Sequence, residues 1–552
     1  MRQPRSASRI DRNFFRLFVL MVLMALLAAA CGTSDDDAAD TTTQTTAAPS
    51  DSGDSVPATT TAATEPPEDG ADHGGGVLLV AAESEPTTLD PRANNTRPDR
   101  NVNINVYNSL IEFDLDDFSL QPGVAKSWEF SDDGLTISLE LEEGVMFHDG
   151  QEMTAADVVH SLLENTDPDI APRTASALSL VEDVVATGDY SVDIQLSAPD
   201  ALLPETLVDV YVRPAEWEMD SDNLIGTGPF KFVQWDRNNR IVLERNENYW
   251  RAGLPDLDGI EFIQVPDDQT RVLRLEAGEV DMVPQPPFTF VEQLRDSGFG
   301  IVIPTGGAGL IYDIRFNVRE EPWSDVRVRQ ALNYALDREA IQTVMLGLYG
   351  PVSNPLPSDH ACFSDEALTY PHDPEKAREL LTEAGFPNGV DAGEFMQHFE
   401  LGIDFEVLSQ IIQAQAAEVG IRMEIQNYDV STWVDRYLDD EIGWKVGLSN
   451  GAARPTPYDL INHTWGKGRP AAQGHDETMP DFLQLLQETR ALDPESTEFC
   501  DNLKELQVIA MTELPSIVVG NKPLPVAVSD AVVGFKAHPS GFIVAENLEL
   551  QR

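Results

Sequence analysis

Between residues 32 and 76 the chain carries ten Thr, ten Asp or Glu, and no Leu, Ile, Phe, Tyr or Trp. A segment of that composition cannot bury enough apolar surface to offset the entropy of ordering it. The fold must therefore be built from residues 77–552, and residues 31–76 read as a disordered tether. Before the tether stand Arg2, Arg5, Arg9, Arg12 and Arg16, then an apolar run from Leu17 to Ala30 that ends at Cys31. Fourteen residues are too few to cross a hydrocarbon core about 30 Å thick, so residues 1–30 read as an export signal. No later stretch approaches 18 apolar residues.

The sequence Leu27-Ala28-Ala29-Ala30-Cys31-Gly32 resembles a bacterial lipobox, in which the cysteine is acylated and becomes the mature N-terminus. Leu27 stands four residues before the cysteine, where that motif prefers three, and an ordinary signal peptide ending near a chance cysteine stays open. With lipid at Cys31, the tether would hold a body just outside a membrane. That body has two cysteines, Cys362 and Cys500. In an oxidising compartment they read as a disulfide, the alternative being two free thiols.

Of 552 residues, 94 are Asp or Glu and 37 Lys or Arg, a formal charge of −57. The signal region contributes +4 and the tether −10, which leaves −51 spread over the body. A nucleic-acid partner is excluded, because counterion release needs clustered Lys and Arg. Spread in this way, the charge reads as solvation of an exported protein.

Periodicity within the body alternates between strand and helix. Val77–Val80 is a short apolar strand, and Leu135–Leu141 and Ser191–Leu196 alternate with period two. Thr154 with Asp157 reads as an acidic capping box that opens a helix through Val158, Val159, Leu162 and Leu163. Ile241–Leu243 predicts another strand, and Val272–Leu275 a helix closing at Gly278. Val328, Leu332 and Ala335 share a helical face. Asp373-Pro374 opens a helix that Gly385 stops, and Val407–Val419 precedes a strand at Ile421–Ile425. There is no 20–50-residue repeat, so the class is α/β.

The order of motifs resembles one family, the peptide/nickel-type (cluster C, family 5) extracytoplasmic solute-binding proteins of ABC transporters. Thr88-Leu89-Asp90-Pro91 opens the series, followed by Pro122–Trp128, Phe147-His148-Asp149-Gly150 and Thr154–Val158. Gly226-Thr227-Gly228-Pro229-Phe230, Arg245–Trp250 and Gly278–Asp281 come next, then Asp325–Leu332, Ala335–Arg338, Asp373–Arg378 and Glu383-Ala384-Gly385. Each also has a structural reading: Gly226 and Gly228 as turn residues, His148 as a hydrogen-bonded histidine and not a metal ligand.

The resemblance implies a periplasmic-binding-protein-like, three-lobed α/β fold (type II, cluster C). Lobe I would comprise 77–100, 222–312 and 525–552, lobe II 101–221 and lobe III 313–524, with ligand between lobes I and III. The implied function is capture of a small polar solute, oligopeptide- or dipeptide-like or other, and delivery to ABC permease and ATPase subunits. The protein would be an extracytoplasmic monomer, lipid-anchored at the cell membrane, with no cofactor. The implied cleft segments contain Asn95, Tyr312, Asn317, Trp444, Asn450, Arg454, Tyr458 and Trp465. In peptide-binding members a late loop carries an Asp for the peptide's ammonium. Here Ala453 falls at that place beside Arg454, so either Asp459 substitutes or Arg454 pairs with a ligand carboxylate; a surface acid as the partner of Arg454 is equally open. The four aromatics read as cleft walls or as core.

Two rivals differ in class. A lipid-anchored sensor or peptide chaperone would keep the fold without transport. A serine hydrolase would use Gly447-Leu448-Ser449-Asn450-Gly451 as a nucleophile elbow, but Pro455 and Pro457 obstruct the helix that must follow. The chain is expected not to be an enzyme. No His-Glu-x-x-His, Cys-x-x-Cys or phosphate-cradling Gly-Lys-Ser/Thr motif occurs.

Overall fold

The structure is a computed structural model. It describes residues 75–552 except 94–95, 168–169, 171, 173, 218–219, 221–222, 305–308, 346–353, 359, 399–402, 439–443, 452–455, 467–473 and 475–477. The export signal, Cys31, the tether up to residue 74, Asn95 and Arg454 lie outside the described residues.

Strand β1 (Val77–Ala82) is apolar along its whole length because both of its faces are covered. Leu78 and Val80 point into one core, with Val102 and Val106 of helix α1 (Arg97–Val106), while Ala81 packs into a second core on the opposite face. Helix α1 starts with a capping box: Thr96 N–H donates to Asp99 at 2.9 Å, and Asp99 also accepts from Thr87 N–H at 2.7 Å. Since Val102, Val106 and Tyr107 pack with β1, the boundary drawn at residue 100 falls inside a helix that belongs to the first core.

A four-stranded antiparallel sheet follows, from β2 (Ala125–Phe130), β3 (Thr136–Leu141), β4 (Val181–Gly188) and β5 (Ser191–Leu196), in the order β2-β3-β5-β4. Ile137, Leu139 and Leu141 are buried while Ser138 and Glu140 are exposed, as one open face requires. Helix α2 (Ala155–Thr166) covers the inner face with Val158 and Leu162, and Thr154 N–H donates to Asp157 at 2.8 Å.

The chain then returns to the first sheet through β6 (Phe230–Asp236), β7 (Arg240–Arg245), β8 (Gly259–Gln264), helix α3 (Asp268–Glu276), β9 (Met282–Pro284) and β10 (Gly300–Val302). A third, five-stranded sheet has β11 (Leu310–Phe316), β12 (Val390–His398), β13 (Ile421–Tyr428), β14 (Val446–Gly451) and β15 (Ser516–Lys522), in the order β13-β12-β14-β11-β15. Its helices include α4 (Val326–Ala335), α5 (Pro374–Glu383), α6 (Ile403–Val419), α7 (Pro457–Trp465), α8 (Pro480–Arg490) and α9 (Thr497–Glu513). Asp373 caps α5 by accepting from Lys376 N–H at 2.9 Å, and Gly385 takes a φ of +95° just past its end. Cys362 and Cys500 are bonded, with Cα atoms 5.0 Å apart, and tie the segment before α5 to α9.

From β15 only Pro523, Leu524 and Pro525 intervene before β16 (Val526–Val528), which rejoins the first sheet in the order β10-β16-β9-β1-β8-β7-β6. The first and third sheets are thus joined by two chain segments, 303–309 and 523–525.

Several of the quoted motifs meet where the first and second sheets join. Gly226 N–H donates to His148 Nδ1 at 3.3 Å, which leaves Nε2–H to donate to Gly228 O at 3.1 Å. Burial then pushes the His148 imidazole down to about 4, as a neutral structural histidine requires. Asn246 donates from its side chain to the same Gly228 carbonyl at 3.0 Å. Both glycines are required by close approach, since neither has a positive φ: a Cβ on Gly226 would lie 2.1 Å from Val106 O, and one on Gly228 2.5 Å from Val106 C. Gly228→Ala should therefore lower the melting temperature by several degrees, corresponding to about 2–4 kcal/mol of overpacking strain. A thermal unfolding curve superimposable on the parent's would refute this account of the turn.

Candidate functional site

In open α/β sheets, ligands bind beyond the carboxyl ends of strands where the chain direction switches. Strand β1 runs parallel to both β8 and β9, so three carboxyl ends open on the same side. Beyond them lies a cleft of about 2450 Å³, lined there by Glu83, Arg97, Arg271 and the segment Gln285–Phe290. Its other walls come from the second module, through Glu112, Glu205 and Asp209, and from the third, through Tyr312, Tyr458, Asp459 and Arg490. The volume is more than twice that of an ordinary small-molecule pocket, roughly 300–1,000 Å³. Gln285 has a φ of +44°, a conformation residues with a Cβ avoid, and its N–H donates to Pro525 O at 2.8 Å. A strained residue at the cleft wall is thereby fastened to the short link between the sheets.

Electrostatically the cleft differs from the body. Among the described lining residues nine are Asp or Glu and seven Lys or Arg, a difference of −2 against −51 for the body. Each lining arginine is engaged by a carboxylate: Arg97 with Glu83, Arg100 with Asp209, Arg271 with Asp268, Arg490 with Asp200. Arg251 bridges Glu112 and Glu546, each at 2.9 Å, and Tyr249 donates to Glu546 at 2.7 Å. Burial pushes the Glu112 carboxyl up to about 7, Arg251 opposing the rise and Glu546 adding to it. Arg271 and Asp268 are an i,i+3 pair, whereas Arg251 and Glu546 stand 295 residues apart, where no local pattern announces them.

The eight residues expected at the ligand part company. Tyr312 and Tyr458 line the cleft. The Tyr312 ring also packs on Phe405 with centroids 5.6 Å apart, and the Tyr458 hydroxyl donates to Leu486 O at 3.1 Å. Trp444 is buried with Met396, Trp433 and Tyr437, and Trp465 is buried among Phe482, Leu486 and Phe499. Asn317 serves a turn, its side chain accepting from Arg319 N–H at 3.2 Å. Asn450 pairs with Tyr312 in the β11–β14 ladder. None of these last four is among the residues that line the cleft. Ser449 is buried within β14 and not on a strand-to-helix turn, so the elbow geometry of a hydrolase is not formed.

This fold is that of the type II periplasmic binding proteins of cluster C. The pattern of the bacterial extracellular solute-binding proteins, family 5 (middle), matches residues 119–471, and the chain belongs to that family. It is 30% identical over 474 residues to heme-binding protein A of Haemophilus influenzae, covering 79% of this chain and 85% of the relative. It is 32% identical over 351 residues to the glutathione-binding protein GsiB of Pectobacterium atrosepticum, covering 62% and 67%. Among solved structures, the binding protein AgaA of A. tumefaciens R10 in complex with agropinic acid aligns with a TM-score of 0.74 at 25% identity, covering 86% of this chain and 99% of that one. The family is one of binding proteins, and no helix among the described residues is long and apolar enough to cross a membrane.

One cleft residue gives a pH signature. Burial, reinforced by the charges of Asp459 and Asp200 against a hydrogen bond from Thr456, holds the Glu205 carboxyl up to about 8, from an ordinary 4.5. The folded protein binds this proton more tightly than the unfolded chain does. The stabilisation is complete below about pH 4 and is lost progressively as pH rises to about 8. Glu205→Gln should leave the melting temperature nearly unchanged at pH 4.5 and raise it by several degrees at pH 8.5. Melting curves at the two pH values decide it, and an equal difference at both would contradict the assignment.

Proposed function

We propose that the chain is the receptor of an ABC importer, anchored by lipid at Cys31, which captures a polar solute and delivers it to a permease. In this reading the three sheet modules are lobes I, II and III, and solute lies between lobes I and III with lobe II closing one side. The observation that carries the proposal is the cleft at the carboxyl ends of β1, β8 and β9, whose first and third modules are joined through two chain segments. Such links permit hinge closure, which supplies a polar solute with fixed partners and excludes water.

Relatives named for heme and glutathione, and a solved structure in complex with agropinic acid, support a solute that bears several charged or polar groups. With the lining arginines already paired, Asp459 beside Tyr458 is the proposed seat of a solute ammonium, and Asn95 and Arg454 remain proposed contacts. The monomer would sit on the outer side of the membrane, clear of nucleic acid.

Purified protein should be screened by thermal shift against reduced glutathione, di- and tripeptides, opines and heme, each at 1 mM. A solute bound at micromolar Kd would stabilise by about 4 kcal/mol and raise the melting temperature by several degrees. Asp459→Asn should weaken an ammonium-bearing solute by about 10–100-fold and leave its N-acetylated form unaffected, as titration calorimetry would show. No shift with any member of the panel would sink the proposal.

A further inference from the structure

The second and third modules are nowhere consecutive in sequence, yet they are fastened together at one end of the cleft. Arg490 is the last residue of α8, where helix carbonyls lack intrahelical donors. Its carbonyl accepts from Ala201 N–H at 3.1 Å. Its guanidinium grips Asp200 with two parallel bonds, Nε to Oδ1 at 2.8 Å and Nη2 to Oδ2 at 2.6 Å, and Nη2 also donates to Ala177 O at 2.7 Å. The Asp200 side chain is 1% exposed. The next residue but one, Leu202, enters the third module's helical core beside Trp465 and Leu486. Ala177, Leu202, Leu486 and Arg490 all line the cleft.

We propose that Arg490 is a positioning residue for solute retention: with Asp200 and Ala201 it forms a clasp that shuts the end of the cleft between the second and third modules. The inference rests on the receptor reading. Both chain links run between the first and third sheets, so rotation about them separates the third module from the second as well as from the first. The clasp is among the non-covalent contacts that must part in that movement, with the packing of Leu202 in the third module's core. A two-pronged guanidinium–carboxylate pair withdrawn from water is held by geometry as much as by charge, and lysine cannot reproduce the fork. Removing Arg490 strands the buried Asp200 charge and removing the Asp200 charge breaks the fork, so each substitution favours the parted state.

Hydrogen exchange in the full chain, without solute, reads the clasp directly through the Ala201 amide. Asp200→Asn and Arg490→Ala should each speed its exchange at least tenfold, Arg490→Lys by less, while amides of β1, β3 and β11 keep the parent rates. In a second arm with reduced glutathione as the probe, the same substitutions should raise the dissociation rate about tenfold and leave association within about twofold. Unchanged Ala201 exchange in both Asp200→Asn and Arg490→Ala overturns the proposal. So does a rise spread evenly through all three cores, which would assign the pair to global stability. If glutathione does not bind the parent, that result counts against the choice of solute, and the exchange arm still decides the clasp.

Discussion

In the proposed receptor, solute capture depends on how few covalent links join the first and third sheets. Pro523-Leu524-Pro525 is one and residues 303–309 the other. Proline fixes φ and removes a donor, so the shorter link is stiff and leaves the sheets by a defined path. Leu524 is 2% exposed, and the neighbouring Pro525 carbonyl is held by the strained Gln285. Each sheet builds its own core on either side of this junction, so the modules can move as bodies while their interiors stay packed.

The first and second modules are bound much more closely. The loop between β5 and β6 returns through Gly226 and Gly228 against the backbone of Val106, with His148, Asn246 and Tyr249 closing hydrogen bonds around it. Arg251 fastens Glu112 of the second module to Glu546 near the C-terminus. Most residues that carry the family resemblance around these positions are spent on this junction. Their presence therefore reports the fold, while relatives of the same family are named for unlike solutes.

How much the sequence disclosed follows the range of each interaction. The capping box at Thr154, the alternation of Thr136–Leu141 and the unbroken apolar run of β1 are local, and each element formed where its pattern lay. The Arg490–Asp200 pair joins residues 290 apart, and in a chain with 94 acids any arginine has many conceivable partners. Aromatic rings near the expected cleft were ambiguous for a different reason. Large apolar surface is driven inward wherever a core lies close, and Trp444 and Trp465 found cores while Tyr312 and Tyr458 also reached the cleft wall. The body's charge of −51 disclosed little about the site, because the cleft's own acids and bases nearly balance.

In the proposed receptor the cleft shuts on its solute by rotation about the two links between the first and third sheets. Small-angle X-ray scattering, recorded while a solute that raises the melting temperature is titrated in, tests it most directly. The account predicts a radius of gyration that falls in step with occupancy and then levels at saturation. A radius unchanged at full occupancy would contradict it, since solute would then be held by a cleft that does not close.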